Sequence, residues 1–236
     1  MDLCIDIGNT VTKMAFFDHE GRLVNVIYNP LPEQWENLPV ERVAIIQTGH
    51  HPLLSPEYFK QRNIPVLVVS ADIRLPFQNL YRTPQTLGAD RIALAAGAVK
   101  FFKGNRLVID AGTCVTYDFV NRKNQYLGGI IAPGLDMRYQ AMHDYTARLP
   151  LLSPPPHKPS LIGRSTDECI HAGARLGWEF EIRAFMKVFE DRYPELKVIL
   201  TGGNAEILYK SIKNEIFAFR KFLAFEGMHY LLTLNM

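Results

Sequence analysis

The sequence predicts an α/β protein of two related halves, each a mixed sheet flanked by helices, with a cleft between the halves. Three observations carry this. A ten-residue segment, Leu3 to Thr12 (LCIDIGNTVT), returns as Leu107 to Thr116 (LVIDAGTCVT), matching at six positions with an offset of 104 residues. Downstream of each copy, short β-prone runs alternate with helix-period stretches, the pattern of repeated α/β units. The chain's 236 residues, 47% of them hydrophobic, are enough to give each half its own core. On this reading the halves are residues 1–104 and 105–236.

Each copy reads as an apolar strand, an aspartate, a glycine among small hydroxyl or amide residues, and a second alternating strand (Val11 to Phe17; Val115 to Val120). That is a β-hairpin with a tight turn and an acidic residue where its first strand ends. In the first half, Val43 to Ile46 and Val66 to Val69 read as buried strands. Ala89 to Phe102 reads as a helix, because Ile92, Leu94, Ala95, Ala98, Val99 and Phe102 recur at helical spacing. In the second half, Gly128-Gly129 and Pro133-Gly134 read as turns between a strand and a short helix. A proline-rich connector, Pro150 to Pro159, leads to a long helix over Ser165 to Asp191, opened by a Ser165/Glu168 capping box and closed by Pro194. Lys197 to Leu200 reads as a strand, Thr201-Gly202-Gly203-Asn204 as a turn into a helix, and Phe217 to Leu234 as a strand followed by a final helix.

Charge narrows the function classes. Twenty-six Lys and Arg against 24 Asp and Glu leave a net charge of +2 and no basic run, which argues against a nucleic-acid partner. No apolar run approaches the roughly 20 residues of a bilayer span, which argues against a membrane partner. Cys4, Cys114 and Cys169 are odd in number and lack zinc-site spacing, which points to a reducing cytoplasm.

Glycine turns lined by backbone N–H groups bind anions, since amide dipoles converge where no side chain intervenes. Two such turns facing one another could hold a polyphosphate. Asp6 and Asp110 would then lie beside phosphate oxygens and repel them unless a cation intervened, most simply Mg²⁺ held through waters near Asp6. Lys13 could reach a phosphate as a point charge, or be an ordinary solvent-facing strand residue. No G-x-x-x-x-G-K-[ST] or G-x-G-x-x-G loop is present, so any nucleotide is held by the two-hairpin route.

The order DIGNTVTK, DAGTCVT and TGG (Thr201 to Gly203) resembles the two phosphate motifs and the adenosine motif of the acetate and sugar kinase, Hsp70 and actin superfamily. Tyr81-Arg82-Thr83-Pro84, Gly88-Ala89-Asp90-Arg91, YLGGIIAPGL, TARLP and IGRST narrow the resemblance to the type III pantothenate kinases, along nearly the whole chain. The resemblance implies an actin-like (ribonuclease H-like) ATPase fold. It further implies ATP-dependent phosphorylation of pantothenate, the first step of coenzyme A synthesis, by a homodimer using Mg²⁺ and a bound K⁺ or NH₄⁺.

Carried over by position, the resemblance places Asp6, Gly8, Asn9, Thr10, Val11, Thr12 and Lys13 at the ATP phosphates, with Thr113 as a further ATP contact. Gly88, Ala89, Asp90 and Arg91 match the pantothenate-binding segment, with Asp90 as catalytic base and Arg91 near the pantothenate carboxylate. Tyr81 and Thr166 match other substrate contacts, and Asp110 matches the monovalent-cation ligand. The chemistry agrees: phosphoryl transfer depends on positioning and charge neutralisation, and a guanidinium can take both oxygens of a carboxylate. Each residue also has a plainer reading. Asp90 and Thr166 suit a helix start, Arg91 a helix surface, Tyr81 a half-buried aromatic and Asp110 a strand-end turn.

Two other functions fit the superfamily motifs, a kinase for another small molecule and a nucleotide-binding regulator without transfer activity. The joint presence of Asp6, Lys13, Asp90, Arg91 and Asp110 argues against loss of transfer. His50-His51 reads as a solvated loop, Met137 and Met142 as packing residues, and Cys114 as a small filler of the second turn. The chain departs from the family pattern at Val43 to Gly49 and at the HHP just beyond, and no role above depends on that segment.

Overall fold

In the computed structural model, which describes residues 1–8, 11–47, 49, 51 and 54–236, the chain forms two compact units. One holds Met1–Phe102, Asn124–Leu127 and Phe222–Met236, the other Lys103–Lys123 and Gly128–Lys221. The first unit opens with strands β1 (Asp2–Ile7), β2 (Thr12–Phe17), β3 (Leu23–Tyr28) and β4 (Arg42–Gln47). Helix α1 (Pro56–Lys60), strands β5 (Val66–Val68) and β6 (Gln78–Asn79) and helix α2 (Ala89–Phe101) come next. The sheet order is β3-β2-β1-β4-β5, antiparallel across β3-β2-β1 and parallel across β1-β4-β5. Strand alternation sets its core: Leu3, Ile5, Ile7, Met14 and Phe16 share one face and pack with Val43, Ile45, Trp35 and Phe59.

The second unit continues with β7 (Arg106–Ala111), β8 (Cys114–Val120), β9 (Gln125–Pro133) and helices α3 (Leu135–Asp144), α4 (Thr166–His171) and α5 (Gly177–Arg192). Strand β10 (Lys197–Thr201), helix α6 (Ala205–Ile212) and strand β11 (Ala218–Phe219) complete it, and helix α7 (Leu223–Asn235) returns to the first unit. Taken as β9-β8-β7-β10-β11, its sheet repeats the order of the first, with β7-β8 antiparallel and β7-β10-β11 parallel. The first residues of β9 pair with β6 and group with the first unit.

The two hairpins differ by one residue. Asp6 stands opposite Lys13, but Asp110 stands opposite Thr116, one position short of what the constant offset gives. A one-residue slip sends each side chain to the other face. Tyr117, the sequence counterpart of Lys13, therefore lies in the core of the second unit, fully buried with Ile109 and Phe119.

Three sequence expectations need correction. Gly128 and Gly129 lie inside β9 and form no turn. A Cβ on Gly129 would fall 1.5 Å from the Tyr117 carbonyl oxygen, so close backbone approach by β8 requires the glycine; β9 runs on through Pro133, and Gly134, expected in a turn, is the extended cap residue of α3. The single helix expected over Ser165 to Asp191 is instead α4, a π-helical turn Ala172–Leu176, and α5. Poor helix formers Gly173 and Gly177 stand within and just after that turn. The capping box is half formed: Ser165 Oγ accepts from the Glu168 N–H at 3.2 Å, while Glu168 Oε2 accepts from the Arg164 N–H at 2.6 Å, one residue beyond the expected partner.

Helix α2 is buried on nearly every side from Arg91 to Ala98, chiefly because α7 packs along it. Glycines make the approach possible. A Cβ on Gly227 would lie 1.8 Å from the Ala93 carbonyl oxygen, and one on Gly97 would lie 2.7 Å from the Leu223 carbonyl oxygen. At the far end of this contact, Asp2 holds α7 through His229 Nε2 (3.0 Å) and β4 through Arg42. Among the described residues, no helix is long and apolar enough to cross a membrane.

Gly227→Ala puts a methyl against backbone that cannot yield without parting α2 from α7. The expected loss is about 1–3 kcal/mol or more. It is read as a lower urea midpoint at unchanged m-value, and an unchanged midpoint would contradict the packing described.

Candidate active site

The first turn joins β1 to β2 through Gly8 and Val11. A Cβ on Gly8 would meet the Val11 carbonyl oxygen at 2.8 Å, so the reversal closes on a bare Cα. Asn9 and Thr10, both expected at the phosphates, lie outside the described residues, as does His50. Two neighbours that sequence reasoning missed brace the turn. The Thr12 N–H donates to Asn29 Oδ1 (3.2 Å), and the Thr12 carbonyl accepts from the Asn29 N–H (2.7 Å). The Gly49 N–H donates to the Ile7 carbonyl (2.8 Å), so the segment that departs from the family pattern does border the turn. Only the Asn29-Pro30 dipeptide, a turn signal, hinted at the first of these.

Asp6 lies near the end of β1, in register with Lys13. Burial pushes its carboxyl pKa up; the Lys13 ammonium opposes the rise, and the charge of Asp90 adds to it. Two carboxylates thus share one neighbourhood with a lysine, because helix α2 brings its first turn to the end of β1. Asp90 is the second residue of α2 and stays exposed, where the helix dipole favours its charge.

The next residue turns the other way. Arg91 is 5% exposed, and its guanidinium lies 5.7 Å from the centre of the Tyr81 ring, within cation–π range. Tyr81 is held in turn: its N–H donates to Asn79 Oδ1 at 3.0 Å, and its ring lies 6.1 Å from that of the fully buried Tyr126. Asn79 and Tyr126 were not singled out from sequence, since they act only through the residue they hold.

In the second unit, the turn after β7 is surrounded by glycines. A Cβ on Gly134 would fall 2.1 Å from the Thr113 carbonyl oxygen, and one on Gly202 would fall 2.3 Å from Asp110 Oδ1 and 2.6 Å from the Ala111 nitrogen. Gly202 has φ +104°, a conformation glycine adopts without strain. The Asn204 N–H donates to the Ala111 carbonyl (2.8 Å), and Asn204 Nδ2 donates to Asp136 Oδ2 (3.1 Å). The Thr201-Gly202-Gly203 motif therefore meets the second turn although some 90 residues separate them in sequence. Thr113 is exposed on that turn, and Cys114 places its sulfur 3.8 Å from that of Met137. Thr166 stands elsewhere in this unit. It lines an open hollow of about 690 Å³ with Met142, Leu149, Gly163, Arg164, Ser165, Cys169 and Ile170, none of them from the second turn.

Each turn closes tightly on glycine, with an aspartate in the strand that leads into it. Two sheets of the same strand order, each with such a turn after its central strand, define an actin-like, ribonuclease H-like ATPase fold. Solved structures agree. A Baf-family protein from Campylobacter jejuni superposes with a TM-score of 0.64 at 22% identity, covering 99% of this chain and 98% of that one. The activator of the 2-hydroxyisocaproyl-CoA dehydratase from Clostridium difficile, with bound ADPNP, does so with a TM-score of 0.56 at 11% identity, covering 98% and 93%. In sequence, the family model described as type III pantothenate kinase matches residues 49–187. The type III pantothenate kinase of Christiangramia forsetii is 40% identical over 242 residues, covering 100% of this chain and 99% of that protein. The chain belongs to the type III pantothenate kinase family.

Because the folded-state pKa of Asp6 is raised, stability is lost as the pH rises from its unfolded-state pKa through the folded-state one, and the cost vanishes where Asp6 is protonated in both states. Ligand-free Asp6→Asn should therefore melt a few degrees above the parent near pH 7, about 1 kcal/mol being worth roughly 2–4 °C at this size. The gain should shrink toward pH 4. Equal melting temperatures across that range would contradict the electrostatic account.

Proposed function

We propose that this chain transfers the γ-phosphoryl group of ATP to the primary hydroxyl of pantothenate, giving 4'-phosphopantothenate and ADP, the first step of coenzyme A synthesis. Family membership supports the reaction, and the observation that carries the assignment of parts is the meeting of Asp6, Lys13 and Asp90 where α2 begins. Asp90 accepts the proton of the attacking hydroxyl as its oxygen bonds the γ-phosphorus and the bond to the β–γ bridging oxygen breaks. Its exposure in the first turn of α2 leaves it open to an incoming hydroxyl.

Gly8 and the turn amides up to Val11 and Thr12, with Asn9 and Thr10 between them, take phosphate oxygens, and Lys13 supplies a fixed positive charge. Thr113 gives a further ATP contact. Mg²⁺ bound with the nucleotide would neutralise phosphate charge beside Asp6, to which it would be held through water. Arg91 takes the pantothenate carboxylate, with Ala89, Tyr81 and Thr166 as the other substrate contacts and Gly88 at the head of the same segment. The cation–π contact of Arg91 with the Tyr81 ring supports this, since it restrains where the guanidinium stands.

Asp110 is proposed to hold K⁺ or NH₄⁺, and the working species to be a homodimer. A reducing, cytoplasmic setting is supported by Cys4, Cys114 and Cys169, all of them free thiols.

Purified protein with ATP, Mg²⁺, K⁺ and pantothenate should form phosphopantothenate, detected by mass spectrometry. A well-folded preparation that makes none under any cation condition would overturn the assignment. Asp90→Asn should lower kcat by about 10²–10⁴-fold with nucleotide affinity little changed, and a near-parental kcat would remove Asp90 as the base. Replacing K⁺ by Na⁺ should slow the parent strongly but leave Asp110→Asn, already slow, unaffected.

A further inference from the structure

Gly88 occupies the cap position of α2 with φ −57° and ψ 136°, values open to any L-residue. Backbone conformation therefore gives no reason for glycine at this position, and space does. A Cβ built on Gly88 would lie 2.4 Å from Asp90 Oδ1 and 3.5 Å from Asp90 Cγ, with Arg91 Cγ at 3.8 Å. The carboxylate of Asp90 is thus folded back over the bare Cα of Gly88, in the volume that a methyl group would take. Leu87 and Ala89 apart, the three atoms nearest to that volume belong to the side chains of Asp90 and Arg91.

We infer that Gly88 is a positioning residue for Asp90: its missing side chain leaves open the rotamer that carries Oδ1 back across the start of α2 and so fixes where the base stands. The inference rests on Asp90 being the base, and it assigns Gly88 a task other than touching substrate. An exposed aspartate has three staggered choices at χ1. A methyl at position 88 closes the one occupied here, and the cheapest relief is to swing the flexible carboxylate to another. The helix need not move, because the nearest atom to the new group is the end of a flexible side chain.

Gly88→Ala should consequently fold normally and misplace Asp90. A displacement of about 1 Å in a catalytic group can cost about 10²-fold, so kcat should fall 10- to 100-fold. The melting temperature and the KM for ATP should stay near parental values. A double-variant cycle separates this from a direct contact with pantothenate. If Gly88 acts through Asp90, then Gly88→Ala made in the Asp90→Asn background adds little or nothing to the loss already present. If Gly88 instead meets the substrate, its loss appears mainly in the KM for pantothenate and multiplies that of Asp90→Asn. Multiplicative losses, or a parental kcat for Gly88→Ala beside a crippled Asp90→Asn, would overturn the positioning role while leaving Asp90 as base. A parental kcat for Asp90→Asn would overturn both.

Discussion

Asp6 is placed where burial and the charge of Asp90 both resist its ionisation, and among the described residues Lys13 favours the charged form. An arrangement of this kind is unfavourable in an empty protein and becomes useful when a cation and an anion arrive together. Much of the first unit can be read as the apparatus that enforces it. Parallel pairing of β1 with β4 buries the strand that carries Asp6 near its end, and the hairpin register puts Lys13 opposite it. Glycine contacts lock α2 against α7, so the first turn of α2, with Asp90, has nowhere else to go.

The second unit repeats the architecture without a lysine opposite its aspartate. Its shorter turn sets Thr116, an uncharged residue, opposite Asp110, and sends Tyr117 into the core where the first unit keeps a lysine on the working face. Instead, glycines from two later segments crowd around the turn, Gly134 against Thr113 and Gly202 against Asp110. A duplicated hairpin has in this way diverged into one turn with a positive side chain beside it and one walled by backbone. The divergence comes from a single residue of loop length, not from wholesale replacement of the motif.

Much of this was legible in the sequence because it is local. The echo at a fixed offset gave both hairpins, helical periodicity gave α2, and Ser165 gave the start of α4. The register slip was hidden, since pairing depends on loop closure, which the offset alone does not report. Gly128-Gly129 misled for a related reason: glycine serves reversal and close approach equally well, and only the Tyr117 carbonyl above Gly129 decides between them. Of the site, residues bearing charge or a motif were found, while Asn29 and Asn79 were not, and Tyr126 stood within a motif without a role of its own. Asn29 and Tyr126 act by holding a residue 17 and 45 positions away in sequence, separations that no spacing rule anticipates.

The central claim is that the start of α2 presents Asp90 to the hydroxyl that becomes phosphorylated. A crystal structure of the protein with pantothenate and a non-hydrolysable ATP analogue tests it most directly. The account predicts the primary hydroxyl oxygen within about 2.6–3.2 Å of an Asp90 carboxylate oxygen, with the pantothenate carboxylate on Arg91. Pantothenate bound with that hydroxyl remote from Asp90, or facing a different acid, would contradict it.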